Sequence, residues 1–275
     1  MAASSTSSSD AAPVALVTGA SRGIGRAVAE LLAARGHRVI GTSRDPDGVP
    51  PAERPAGVDL VALDLEDRES VRRCAAEAGP VDVLVSNAGR SQMGALEEVP
   101  GEAVERLFAA NVLGPVELIR LCLPAMRERG GGTVVVIGSL MAEFPVPFQS
   151  AYAASKLALQ GFVGSLRTEV RPFGVRVALV EPGDIRTGIQ DHVERFEAEW
   201  SPYAPALALV SRRARAAVAS AEPPAVVAEK VWSIMSTKRP APVHFAGGDG
   251  AALAFAKRLL PRVAVERLVA RRYGL

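Results

Sequence analysis

A tyrosine and a lysine four residues apart, in the run Tyr152-Ala153-Ala154-Ser155-Lys156, lie one turn apart on the same face of a helix. A free phenol has a pKa of about 10, and an ammonium held against its oxygen lowers that value by roughly 1–3 units. A pair tuned in this way exchanges protons at neutral pH, which is the acid–base chemistry of a carbonyl or an alcohol. The spacing also fits a half-buried aromatic beside a solvated lysine, so the surroundings have to decide. Ser139 closes the apolar run TVVVIGS shortly before the pair, and a helix starting near Tyr152 brings both to one mouth of a sheet.

A second group of residues suits an anion. Thr18-Gly19-Ala20-Ser21-Arg22-Gly23-Ile24-Gly25 follows the run VALVTG and opens a helical pattern. Glycines there let the backbone turn sharply and approach a pyrophosphate, and the helix N-terminus stabilises its charge. A plain glycine-rich turn has the same composition, but the position between strand and helix favours a dinucleotide. The next strand ends in Gly41-Thr42-Ser43-Arg44. An NAD site usually carries a carboxylate there for the ribose 2′-hydroxyl, whereas a guanidinium suits a 2′-phosphate. Arg22, inside the glycine loop, can approach the same phosphate from the other side. NADPH/NADP+ is therefore the expected cofactor rather than NAD(H), with an arginine merely solvated in a turn, next to Asp45, as the plain alternative.

The elements that must position these residues follow a βαβ rhythm. VALVTG, a helix over 25–35, RVIGTS, VDLVALD, VDVLVSN, a helical stretch over 103–129, TVVVIGS, a helix over 151–170 and VRVALVEPG follow in order. Runs this apolar, separated by helices, predict an α/β fold with a parallel sheet covered on both faces. The 275 residues, 48% of them apolar, suffice for one core, and a single domain over 13–275 is expected behind a disordered, Ser-rich tail at 1–12. Residues 188–224 break the rhythm as an insertion, and 250–275 form a helical tail interrupted at Pro261.

Other classes find little support. The net charge of +2 gives no field suited to nucleic acid. His37, His192 and His244 are scattered without ligand spacing, so no metal is expected. Cys74 and Cys122 fall in helical patterns and read as buried free thiols of a reducing compartment. The N-terminal stretch lacks a basic start and an apolar core, which points to a cytoplasmic protein.

Together, TGASRGIG, Ser86-Asn87-Ala88-Gly89, Asn111, Ser139, Tyr152 with Lys156, and Pro182-Gly183 through Thr187 resemble the short-chain dehydrogenase/reductase family in order and spacing over residues 14–190. The resemblance implies a Rossmann-type, doubly wound sheet of about seven strands. It casts Tyr152 as the proton donor, Lys156 as the residue that binds the nicotinamide ribose and tunes the phenol, and Ser139 as the partner of the substrate oxygen. Asn111 would hold a water linking Lys156 to a proton relay; by itself it reads equally as a helix-kinking polar residue. Asp64 and Leu65 would meet the adenine, although an aspartate there also suits a helix cap. Asn87, Ala88 and Gly89 would lie along the adenosine ribose, and Ile185 with Thr187 would hold the carboxamide. Ser86 stands where the family usually has asparagine. The usual dimer helices of the family correspond to 103–129 and 151–170, so a homodimer or homotetramer is expected.

The substrate is less legible. Ser91-Gln92-Met93, 140–144, Pro147-Phe148-Gln149 and the insertion with Phe196, Trp200 and Tyr203 should flank the pocket with apolar and aromatic walls. Such walls suit a lipophilic carbonyl or alcohol, as in the 17β-hydroxysteroid and retinol dehydrogenase-like branch that the insertion resembles; alternatively, the aromatics only pack the insertion down. Two other functions compete with an oxidoreductase of such molecules. One is a ketoreductase of carrier-bound polyketide or acyl intermediates, with Arg212, Arg213 and Arg215 receiving a phosphate arm. The other is an NADPH-sensing binding protein without turnover. The tail, with Lys257, Arg258, Arg262, Arg267, Arg271 and Arg272 beside an apolar stripe, is expected to dock on its own domain or a neighbouring subunit, with membrane contact as the alternative.

Overall fold

The computed structural model describes residues 12–248, 250–257 and 259–275. The expected disordered tail lies outside them but for Ala12, as does Arg258. Seven parallel strands form one sheet: β1 (Val14–Val17), β2 (Arg38–Ser43), β3 (Val58–Ala62), β4 (Val83–Ser86), β6 (Gly132–Ile137), β7 (Val175–Pro182) and β9 (Val243–Ala246). Their order is β3-β2-β1-β4-β6-β7-β9, as expected for a Rossmann-type sheet. The chain winds outward from β1 to β3 and then returns to β4 on the other side of β1. The crevice where strand order reverses therefore opens at the C-terminal ends of β1 and β4.

Side-chain alternation along the strands builds two cores. Leu16, Leu84, Val134 and Leu179 face the layer that contains Val71, Leu118 and Leu159, from α2 (Arg68–Ala78), α4 (Gly114–Glu128) and α5 (Ser150–Val170). Their neighbours Ala15, Val17, Val85, Val135 and Val180 face Val28 and Val231, from α1 (Gly23–Ala34) and α7 (Ala225–Met235). Strands covered on both faces can be apolar at every position, which is why they read as continuous runs.

One helix departs from regular geometry at a functional position. α3 (Gly101–Phe108) continues into α4 through a π-helical turn at Ala109–Leu113, and Asn111 sits in that turn. The combined helix Gly101–Glu128 is long and apolar enough to cross a membrane, yet half of its apolar window is buried in the fold. The insertion is not irregular. β8 (Glu194–Phe196) pairs in parallel with β5 (Gln92–Gly94), and α6 (Ala204–Ala219) packs on the C-terminal α9 (Arg262–Tyr273). The short α8 (Gly250–Lys257) precedes α9, and Pro261 separates the two.

Candidate active site

Tyr152 is the third residue of α5, and Lys156 follows one turn later; both are buried. Lys156 Nζ lies 5.8 Å from the centre of the Tyr152 ring and donates to the Ile137 carbonyl at 3.1 Å. Ser139 lies two residues beyond β6, accepts a hydrogen bond from Met141 N at 3.2 Å, and is hydrogen-bonded to the Tyr152 phenol. Strand end and helix start thus bring serine, phenol and ammonium to one place.

Asn111 joins them through Ser155, to which the sequence alone assigns no role. Its Nδ2 donates to Ser155 Oγ at 3.0 Å, and Ser155 Oγ donates to the Tyr152 carbonyl at 2.7 Å. Asn111 also clamps Arg90, accepting from its N–H at 2.7 Å and donating to its carbonyl at 3.0 Å. With its side chain committed in this way, Asn111 fixes the start of α5 and the loop after β4. The π turn places the side chain at only 1% exposure. The signal for Ser155 was helical spacing, since it stands three residues after Tyr152.

The proton affinities correct one expectation. Burial pushes the Tyr152 phenol above its ordinary value, with only the Ser139 hydrogen bond pulling the other way. Burial also pushes Lys156 down to about 8. Desolvation penalises the charged form of each group, and at the phenol it outweighs the Ser139 hydrogen bond.

The glycine loop forms a cradle. Gly19 and Gly23 hold φ of +68° and +56°, in the left-handed region that favours glycine. A Cβ on Gly25 would stand 2.2 Å from the Gly19 carbonyl oxygen, so only glycine fits. No side chain caps α1, and its first turn carries no acid; its leading N–H groups are left for an anion. Ser21 and Ile24 flank the glycines. Thr18 Oγ1 accepts from the N–H groups of Asn87 and Ala88 at 2.9 Å each, and Asn87 Nδ2 donates to the Thr18 carbonyl at 2.9 Å. These bonds pin the β4 loop against the β1 loop, while Ser86 ends β4 buried. A Cβ on Gly89 would approach Asn111 Oδ1 to 2.8 Å and Lys156 Nζ to 3.8 Å, so this loop runs from the cradle to the acid–base group.

Further out, Leu65 is buried and Asp64 lies just past β3, where its carboxylate accepts from Glu66 N at 2.9 Å. Asp67, not Asp64, caps α2. Pro182 ends β7, and Gly183 N donates to the Ala246 carbonyl at 3.0 Å. Ile185 is buried, and a Cβ on Gly23 would lie 3.4 Å from the Thr187 methyl, so the segment after β7 folds back onto the cradle. Arg44 is exposed and makes no hydrogen bond or ion pair among the described residues. Arg22 is bonded to His192 of the insertion. These residues fit a dinucleotide: a glycine cradle at a helix N-terminus, a free cation beyond the second strand, and the acid–base group at the far end.

The walls are apolar, with one correction. Met93, Val146, Leu207, Val210 and Tyr273 form a buried cluster joined by Met141 and Phe148. Phe148 holds φ +65° and meets the Tyr203 ring edge-on at 6.4 Å. Trp200 is 87% exposed and does not serve as a wall, because the segment before α6 turns it outward. Arg213 donates to the carbonyls of Arg271 and Arg272, which ties it to α9 and leaves exposed Arg212 and Arg215 as the cations on α6.

Known proteins share this arrangement. The short chain dehydrogenase family matches residues 13–198. A 3-ketodihydrosphingosine reductase of Bacteroides thetaiotaomicron is 37% identical over 183 residues, 65% of this chain and 66% of that protein. Human retinol dehydrogenase 8 is 39% identical over 182 residues, 62% of this chain and 58% of its own. The chain thus spans slightly less than two thirds of the length of such curated relatives. A short-chain dehydrogenase of Streptomyces avermitilis superposes over 97% of this chain and 99% of its own, with a TM-score of 0.80 and 36% identity. The match over most of the chain, the strand order and the cradle leading to a Tyr–Lys pair agree, and the chain belongs to the short-chain dehydrogenase family of NAD(P)-dependent oxidoreductases.

Proposed function

We propose that the protein reduces the carbonyl of a lipophilic small molecule to an alcohol with NADPH, and catalyses the reverse oxidation under the opposite redox balance. The observation that carries this reading is the group formed by buried Tyr152, Lys156 and Asn111 with half-buried Ser139 at the end of the nucleotide crevice. NADPH, when bound, supplies the hydride. The chain's own residues do the rest. Tyr152, holding its proton because burial disfavours the phenolate, gives it to the oxygen of the substrate as charge develops there. Ser139, already bonded to the phenol, stabilises that same oxygen. Lys156, with its affinity lowered to about 8, returns a proton to the phenol side, and Asn111 fixes the helix start on which both stand. The apolar walls of Met93, Met141, Val146 and Phe148 suit a lipophilic substrate. The names of two relatives point the same way, one a reductase of 3-ketodihydrosphingosine and the other a dehydrogenase of retinol. Exposed Arg44 favours NADPH over NADH. Buried free thiols at Cys74 and Cys122 suit the cytoplasm, and the outer faces of α4 and α5 suit a homodimer or homotetramer.

Tyr152→Phe removes the proton and leaves the cradle intact. It should bind NADPH as the wild type does and lose at least about a thousandfold in turnover of a broad carbonyl panel. Near-normal turnover in this variant refutes the assignment. A wild type that binds NADPH and never consumes it supports the non-catalytic alternative.

A further inference from the structure

We propose that Gln149 and Ser91 form a subsite for a substrate hydroxyl next to the carbonyl that Tyr152 reduces. The proposal rests on the reductase reading and narrows its substrate class to lipophilic hydroxyketones. Gln149 is the N-cap residue of α5, three positions before Tyr152, and Met141 packs against both the cluster of Val146 and Phe148 and the cluster of Tyr152. Gln149 is 3% exposed, and Ser91 is 7% exposed. Gln149 Nε2 donates to Ser91 Oγ at 3.5 Å. Gln149 Oε1 is buried without a donor, and the Ser91 hydroxyl proton has no acceptor among the described residues.

Two backbone straps hold the pair in place. Gly94 N donates to the Phe148 carbonyl at 2.9 Å, and Glu194 N donates to the Ser91 carbonyl at 3.0 Å. The pair's chain neighbours Met93, Val146 and Phe148 belong to one apolar cluster with Met141, and none of these side chains offers a polar partner strong enough to satisfy an amide. A buried amide oxygen without a donor is costly, and such sites persist where a ligand completes them. The open groups are one acceptor and one donor side by side. A hydroxyl meets both at once, donating to Oε1 and accepting from Ser91; an ammonium only donates, and an ether only accepts. Turning the amide over exchanges the two open groups and leaves the same requirement. Gln92 has an unpartnered buried oxygen as well, but strand alternation sends its side chain to the opposite face from Ser91 and Met93, so it stays outside this subsite.

The test uses the full chain saturated with NADP+ and compares 1,2-octanediol with its ether 1-methoxy-2-octanol by calorimetry. The wild type should bind the diol about tenfold or more tightly, because the ether leaves buried polar groups unpaired. In Gln149→Met the preference should fall to within about twofold, and the ligand-free variant should melt no lower than the wild type, since an unpaired buried amide has gone. Ser91→Ala, which removes only the hydroxyl, should narrow the preference too and carries the test if Gln149→Met fails to fold. Equal binding or no binding of the two alcohols by the wild type overturns the subsite, as does a preference that survives in the variants. NADPH consumption with 1-hydroxy-2-octanone and 1-methoxy-2-octanone is read in parallel. If neither is reduced while the diol preference holds, the reductase reading falls and the subsite stands.

Discussion

At pH 7 the Lys156 ammonium, lowered to about 8, remains mostly charged, and the Tyr152 phenol, raised by burial, remains neutral. That distribution places a proton on the oxygen that donates one in the proposed reduction. The proposed preference for NADPH rests on a different residue. Arg44 stands exposed beyond β2 and unpaired among the described residues, whereas Arg22 already holds His192. A guanidinium without a competing carboxylate keeps its charge for a phosphate, and such a charge-assisted contact contributes about 1.5–3 kcal/mol. Arg44→Ala should therefore weaken NADPH binding by about tenfold or more and leave NADH binding within about twofold, as measured by the two dissociation constants. If the wild type binds both cofactors equally, Arg44 has no selective role.

Between elements, β7, α5 and the loop after Ser139 meet at a carboxylate that is fully buried, Glu181. Gln160 Nε2 on α5 donates to Glu181 Oε1 at 2.6 Å and to Glu143 Oε1 at 2.8 Å, and Lys257 on α8 donates to Glu143 at 2.6 Å. Burial, with Glu143 nearby, pushes the Glu181 carboxyl up from its ordinary 4.5 to about 7. The folded state thus holds the Glu181 proton more tightly than the unfolded chain does. This group's contribution to stability is complete below pH 4.5, declines as pH rises to about 7, and stays low above that. Glu181→Gln should flatten the stability–pH curve over that window and raise stability at pH 8 by up to about 3 kcal/mol, read from urea melts. An unchanged slope would mean that Glu181 is ionised in the folded protein. Contacts of this kind lie beyond what a single sequence displays. The strands, the glycine loop and the Tyr–Lys pair were legible because each is a local pattern of period, spacing or punctuation. Ser155 and Gln160 act through partners many residues away, and the π turn at Asn111 left no mark in composition. Nor could the sequence reveal the close approach that makes Gly114 necessary, where a Cβ would stand 2.2 Å from the Leu65 carbonyl oxygen. The phenol's proton affinity escapes the sequence for the same reason: spacing reveals the ammonium, and only the fold reveals the burial.

Across the whole molecule, the C-terminal helix α9 holds the insertion in place. It buries Val265 and Tyr273, with Val269 packed beside them, and Tyr273 and Val269 share one cluster with Leu207 and Val210 of α6 and with Met93 and Val146 of the proposed substrate walls. Arg213 of α6 donates to the last carbonyls of α9, and Arg272 bonds Asp184 at 3.0 Å, between Gly183 and Ile185. The nucleotide cradle, by contrast, is assembled from the β1, β2 and β4 loops with the segment after β7 folded onto it, and takes no residue from α9. Ending the chain at Pro261 therefore strips cover from the substrate walls while leaving the cradle whole. Each buried apolar side chain lost costs about 1.5–3 kcal/mol, so the melting temperature should fall by about 5 °C or more. The KM for a carbonyl substrate should rise several-fold, and the NADPH dissociation constant should stay within about twofold. A lower melting temperature with KM unchanged would make α9 a brace for α6 alone. Equal losses in substrate and cofactor binding would mean that the Arg272–Asp184 bond carries the effect of α9 into the nucleotide site.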